Sequence, residues 1–208
     1  MFRTASFAVV FLAVWTQAAL ADFAEDQRWC NSPGTRSDIA IDACTRILLS
    51  GQFTGHDFVV TLTNRGNSYG RKGQMEFAIS DYNKAIRLKP DHAPAFGNRG
   101  RIFGMTGLID KAIADFNEAI RLRPSYLGAI ADRGWAFYLK GDWDRAISDY
   151  SEAIRLKPKY GKVFGNRGLA YDKKGDQRQA LQDFKKAYVL GARHPMLLQK
   201  LQEYKALQ

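Results

Sequence analysis

Residues 93–126, APAFGNRGRIFGMTGLIDKAIADFNEAIRLRPSY, decide the fold. Asn98-Arg99-Gly100 leads to Gly107, then to Ala112, Asp115, Phe116 and Ala119, and Pro124 closes the stretch. Steps of 34 residues in either direction land on the same pattern. The triplet returns as Asn64-Arg65-Gly66, Asp132-Arg133-Gly134 and Asn166-Arg167-Gly168. Ala78, Ala146 and Ala180 repeat the alanine, and Asp81, Asp149 and Asp183 repeat the carboxylate. Tyr82, Tyr150 and Phe184 repeat the ring, and Ala85, Ala153 and Ala187 the second alanine. Self-similarity at a fixed period of this length is the signature of stacked structural repeats.

Each copy holds two amphipathic stretches with apolar residues at helical spacing. Gly66 and Ala78 are small at matched places, which lets the two helices of a hairpin approach, and Tyr69 and Tyr82 are large enough to fill what remains. Gly73, Gly107, Gly141 and Gly175 stand where a first helix should end on a left-handed residue. Pro90, Pro124 and Pro158 stop the second helices, because proline blocks continuation. One such hairpin cannot bury its apolar face alone, so the copies must stack.

This period and residue set, from Val59 to His194, resemble the tetratricopeptide repeat. The resemblance implies an all-α fold, a right-handed superhelical solenoid of helix–turn–helix repeats at 59–92, 93–126, 127–160 and 161–194. Residues 22–58 are expected to form a degenerate leading hairpin. Ala40-Ile41 sits there as Ala78-Ile79 does later, Cys44 takes the place of Tyr82, and Phe23 to Trp29 supply a short first helix. Residues 195–208 are expected to cap the far end, with Leu197, Leu201 and Tyr204 facing the array and Lys200, Gln202 and Lys205 facing water.

The N-terminus has the character of an export signal. A basic start, Met1-Phe2-Arg3, precedes an apolar run from Ala5 to Trp15, and Ala19-Leu20-Ala21 supplies the small residues of a cleavage site. Residues 1–21 are therefore expected to be a signal peptide, removed after Ala21, with an uncleaved anchor as the alternative. The run is short for a bilayer span, which needs about 20 residues. Export places the mature chain in the periplasm or outside the cell. It also makes Cys30 and Cys44, the only cysteines, a disulfide candidate rather than a metal site; two free buried thiols are the alternative.

The repeated arginines invite an anion-binding reading, but each comes with an aspartate. Co-repeating charges suggest structural ion pairs, Arg65 with Asp81, Arg99 with Asp115, Arg133 with Asp149 and Arg167 with Asp183, or pairing to the next copy. In the repeats this chain resembles, first helices line a concave groove. By position that groove would carry Thr63, Asn64 and Asn67, then Asn98, Arg101 and Met105, then Asp132, Trp135 and Tyr138, then Lys162, Asn166 and Lys173. Asparagine amides both donate and accept and can pair with an extended peptide, though asparagine is also common at this place in such repeats. Small Gly97, Gly128, Ala131 and Gly165 would leave the groove open. Trp135 and Tyr138 differ from their counterparts in other copies, which suits partner choice; packing between first helices is the alternative for Trp135. The carboxylate clamp of some family members is not matched, since its third-copy basic positions are Gly128 and Asp132 here.

The expected function is a non-catalytic protein–protein interaction scaffold of the bacterial envelope, holding a peptide segment of a partner. The segment Asp38 to Arg46 resembles exported repeat proteins of alphaproteobacteria. The alternatives are a self-associating structural protein, a homo-oligomer, or a module for anionic glycan or lipid. Net charge is +10 for the chain and about +9 without residues 1–21. Much of it sits at second-helix ends such as Arg121-Leu122-Arg123, where the macrodipole favours cations. No cofactor, metal or nucleic acid is implied, and His56, His92 and His194 form no ligand or triad spacing, so no enzyme is expected.

Overall fold

The computed structural model describes residues 22–32 and 34–206. Residues 1–21, expected to be a signal peptide, and Leu207, expected in the terminal helix, lie outside the described residues. Among the described residues every regular element is an α-helix. They are α1 over 22–31, α2 (Ser37–Ser50), α3 (Gly55–Arg71), α4 (Met75–Leu88), α5 (Ala93–Met105) and α6 (Ile109–Leu122). There follow α7 (Leu127–Leu139), α8 (Trp143–Leu156), α9 (Gly161–Lys174), α10 (Gln177–Val189) and α11 (Pro195–Ala206). The chain divides into two compact bodies, one ending at Asp91 and one beginning at His92.

The hairpin turns follow from local chemistry. After α5, Gly107 adopts φ +80°. Its N–H reaches the Gly104 carbonyl at 3.3 Å, and that of Leu108 reaches Phe103 at 2.8 Å. This pair of bonds is the Schellman closure, which satisfies carbonyls a helix end would otherwise strand. Gly141 repeats it after α7 with φ +79°. The second helices stop by another route. Arg123 turns extended, φ −141° and ψ 91°, because the ring of Pro124 disfavours helical geometry in the residue before it.

In the N-terminal body, α1 and α2 pack around Cys30, Ala43, Cys44 and Ile47, with Phe23 and Phe53 edge to face at 5.4 Å. Cys30 and Cys44 are joined by a disulfide, their Cα atoms 4.9 Å apart. Asp26 pairs with Arg46 across the same helices. Behind them α3 and α4 bury Leu62, Ala78, Tyr82 and Ala85 completely. The small residue at 66 meets the facing helix closely: a Cβ there would come 2.7 Å from the Tyr82 ring, and at the equivalent Gly100 and Gly168 one would come 3.1 and 3.2 Å from the carbonyls of Ala112 and Ala180. The large ring packs directly against a glycine on the facing helix.

The C-terminal body repeats that scheme. Phe116, Tyr150 and Phe184 are buried opposite Gly100, Gly134 and Gly168. Fully burying a side chain of this size contributes about 1.5–3 kcal/mol. Helix α11 closes the stack with Leu197 and Tyr204 buried and Leu201 partly so, and Tyr204 meets Phe184 at 6.0 Å. Lys200 differs from its expected place. It turns back to pair with Asp172 at 3.1 Å and Glu203 at 2.9 Å, because Asp172 also accepts the Tyr204 hydroxyl and gathers the helix onto α9.

Candidate functional site

The repeated arginines have their partners inside the chain. Arg65 donates from Nε and Nη2 to the two oxygens of Asp81, both at 2.8 Å. Arg99 meets Asp115 at 2.8 and 2.7 Å, Arg133 meets Asp149 at 2.9 and 2.7 Å, and Arg167 meets Asp183 at 2.7 and 2.9 Å. All four carboxylates are buried. The third donor reaches back to the preceding second helix: Arg65 to Thr45 at 3.1 Å, Arg133 to Asn117 at 2.7 Å and Arg167 to Ser151 at 3.0 Å. The bonds to Asp81 and Asp183 hold the guanidiniums of Arg65 and Arg167 more firmly charged than usual, against their own burial. Planar, bidentate pairing of this kind is what arginine does and lysine cannot.

Cations at second-helix ends are occupied as well. Arg121 pairs with Glu118 and Arg155 with Glu152, each at 2.6 Å. Arg123 lies over Tyr126 and Lys157 over Tyr160, at 5.2 and 5.1 Å from the ring centres. These contacts leave less of the positive charge for an anionic surface than the sequence suggests.

The candidate groove residues separate into two sets. In the N-terminal body the amides are engaged internally: Asn64 donates to Asn31 at 2.8 Å, and Asn67 accepts the Tyr82 hydroxyl at 2.8 Å. Thr63 is buried, its hydroxyl returned to the Val59 carbonyl at 2.9 Å, and offers nothing to a partner. In the C-terminal body a cleft of about 450 Å³ opens between α7, α9 and α11. Asp132, Trp135, Lys162 and Asn166 all line it. Tyr138 stacks on Trp135 with ring centres 5.0 Å apart and planes 15° from parallel, and Trp135 remains 38% exposed. Asn98 accepts from Arg101 at 3.3 Å on α5. Met105 and Lys173 are exposed but do not line the cleft. Among the small residues, Ala131 and Gly165 do line it; Gly97 instead is buried beneath the Tyr126 ring, where a Cβ would come 3.0 Å from it.

The third copy differs electrostatically from the others. Burial raises the Asp132 carboxyl above the usual carboxylate range, and the opposing pull of Arg101 and Lys162 does not cancel it. Tyr150 is completely buried, and its hydroxyl has no hydrogen-bond partner in good geometry. Burial, then the charges of Asp132 and Asp149, push that hydroxyl far up, while the Asn166 amide beside it acts weakly the other way. The corresponding hydroxyl of Tyr82 is satisfied by Asn67, and the corresponding residue to Asn67 in the third copy is Trp135. Phe116 and Phe184 need no such partner. The buried Tyr150 hydroxyl, without a well-placed partner, is a feature that single-column reading of the sequence passes over; it emerges when the columns of Asn67 and Tyr82 are compared together. Tyr150→Phe should leave the melting midpoint unchanged or slightly raised, whereas Tyr82→Phe, which breaks a bond, should cost about 1 kcal/mol by thermal denaturation.

Helical hairpins of 34 residues, tied by repeated Arg–Asp pairs, define an all-α, solenoid-class repeat protein built for contact with other molecules. The chain belongs to the tetratricopeptide-repeat family. Models described as tetratricopeptide repeat match residues 59–92 and 93–126, and one described as TPR repeat matches 134–175, together more than half of the chain. A crystal structure of MamA is 30% identical, with 83% of this chain and 92% of that chain covered and a TM-score of 0.64. Another structure of MamA protein is 27% identical over 81% and 91%, with a TM-score of 0.66. The Cut9–Hcn1 hetero-tetramer of APC/C shares the fold at a TM-score of 0.72 and 18% identity, over 80% of this chain and 32% of that one. A search of curated proteins gives no match. The chain is a protein–protein interaction scaffold, and proteins of this family are generally non-enzymatic. Among the described residues no helix is long and apolar enough to cross a membrane, and no group of three or more His, Cys, Asp or Glu side chains is placed to hold a metal ion.

Proposed function

We propose that the cleft between α7, α9 and α11 holds an extended segment of a partner protein in the envelope of a Gram-negative bacterium, without catalysis. The observation that carries this reading is the convergence of Trp135, Asp132, Asn166 and Lys162 on one open cavity while the repeated arginines are spent on the scaffold itself. A half-exposed aromatic beside groups that both donate and accept is the composition of an interface anchor. The signal-like sequence pattern over 1–21 and the disulfide at Cys30–Cys44 support an oxidising compartment.

The test has two arms. Mass spectrometry of the protein recovered from the periplasm should find a chain beginning at Asp22; an intact N-terminus in the cytosol would refute export. Partner capture, followed by quantified binding of the captured segment, should fall at least about tenfold with Trp135→Ala. That change should cost only about 1 kcal/mol of stability, the worth of its stack on Tyr138. Undiminished binding by the variant would move the contact surface elsewhere.

A further inference from the structure

We infer that the bound segment turns one internal aspartate or glutamate side chain toward α9 and the loop before α11, where Lys162, Arg193 and His194 receive it. This rests on the cleft being the peptide site. Lys162 is the one charged residue in a column that is otherwise Val60, Pro94 and Gly128. It is exposed and lines the cavity, and Arg193 and His194 enter the same lining from between α10 and α11. Arg193 is fixed by neutral groups alone. Its Nη1 donates to the carbonyls of Tyr188 and Ala192 at 2.6 and 2.8 Å, and its guanidinium lies 4.0 Å from the centre of the Tyr188 ring. His194 accepts the Met196 N–H at Nδ1, 3.3 Å away, so a neutral ring carries its proton on Nε2 and donates there. Other basic side chains of this body are neutralised: Arg133, Arg167, Lys174 and Lys200 each meet a carboxylate within 3.1 Å. Among the described residues no carboxylate comes within ion-pair distance of Lys162, Arg193 or His194.

Donors that converge without a counter-ion favour an anion, and complementary charge across an interface sets register and partner choice. A carboxylate is the peptide group that answers them, through short charge-assisted hydrogen bonds about twice as strong as neutral ones. The carboxylate already in the lining, Asp132, belongs to α7, and Lys162 acts on it only beyond contact. Successive side chains of an extended chain point to opposite sides. An acid turned to α9 and the loop therefore turns its neighbours to α7. There Trp135 offers a partly exposed ring, and Asp132 repels a second acid. The segment that fits is a single acidic residue with an apolar neighbour, not a run of acids. Because the cavity is open, the chain can continue past the anchor, so the carboxylate is a side chain and not a chain end.

The experiment is selection of a displayed random-peptide library on the full chain. The selected peptide, made with an amidated C-terminus, is then titrated against wild type, Lys162→Gln, Arg193→Gln, Trp135→Ala and Lys173→Gln. Selected peptides should share Asp or Glu at one fixed position beside an apolar residue. Exchanging that acid for its amide should weaken binding about tenfold, and Lys162→Gln or Arg193→Gln about threefold each. Against the amide peptide Lys162→Gln should cost little more, since the pair it breaks is already gone. Both side chains are exposed, so the helical spectra of the variants should match wild type. Lys173 lies on the same helix, exposed and outside the cleft, and Lys173→Gln should change binding by less than about twofold. Equal losses from Lys173→Gln and Lys162→Gln would mean general attraction to a basic protein and overturn the anchor. Enrichment of peptides with no acidic position, whose binding still falls with Trp135→Ala, overturns it and leaves the cleft as a peptide site. Binding that needs a free C-terminus and ignores the acid-to-amide exchange overturns it likewise. Peptides indifferent to both Trp135→Ala and Lys162→Gln, or a library that yields no binder, sink both readings.

Discussion

Replacing Arg133 with methionine should lower the stability of the C-terminal body by about 3–5 kcal/mol, measured by chemical denaturation. The loss comes less from the ion pair than from what it leaves behind. Asp149 is buried, with only 9% of its side chain exposed, and both its oxygens bond Arg133. Without the guanidinium that carboxylate must stay charged in a poor solvent or take up a proton. Asn117 loses its donor at the same time, so two copies are disturbed by one change. The paired variant Arg133→Met with Asp149→Leu should recover most of the stability, because removing both charges of a buried pair is often neutral. Arg121→Met, which breaks only the exposed pair to Glu118, should leave the denaturation curve almost where it was. A small effect of Arg133→Met would mean that water, not the arginine, satisfies Asp149.

Removing the disulfide, by reduction or as Cys30→Ala with Cys44→Ala, should cost the N-terminal body about 3 kcal/mol, from the closure of a loop of about 15 residues. The effect should be local. Helix α1 is too short to persist without packing, since isolated helices below about 12–15 residues are marginal in water. Beyond the disulfide it is held by the Asp26–Arg46 pair, the Asn31–Asn64 bond and the Phe23–Phe53 contact. Arg46 is 59% exposed, so its pair is screened and contributes little. Amides over 22–31 should exchange rapidly after reduction while α3 and α4 remain protected. Retained protection over 22–31 would show that packing alone suffices there.

The helices were legible because their signals are local or periodic. Gly107 and Pro124 mark turns by backbone chemistry that depends little on distant contacts, and the 34-residue period assigns the rest by analogy. The site was legible only in part. Which groove residues are available to a partner depends on cross-helix contacts that a single column does not encode. Asn67 looks like a groove amide until Tyr82 is seen to occupy it, and Gly97 looks like open space until Tyr126 is found above it. Thr63 fails as a lining residue because its rotation about α3 points it at its own helix and the core. Helical phase alone places Lys200 in solvent, and phase cannot anticipate an acidic residue, Asp172, on the neighbouring helix. Tyr150 needs two columns compared, since the amide that serves Tyr82 is replaced in its copy by Trp135.

The backward reach of the arginines sets a rule for how such a chain can change its copy number. Arg65, Arg133 and Arg167 each carry one donor to the second helix before them. A tandem duplication of 34 residues, in register, would bring its own arginine and aspartate and also the acceptor that the next arginine needs. Lengthening or shortening by whole copies therefore strands no charge, while an insertion of another length inside a helix would rotate a guanidinium away from its acceptor. The same bonds that hold neighbours together thus make the array heritable in discrete steps.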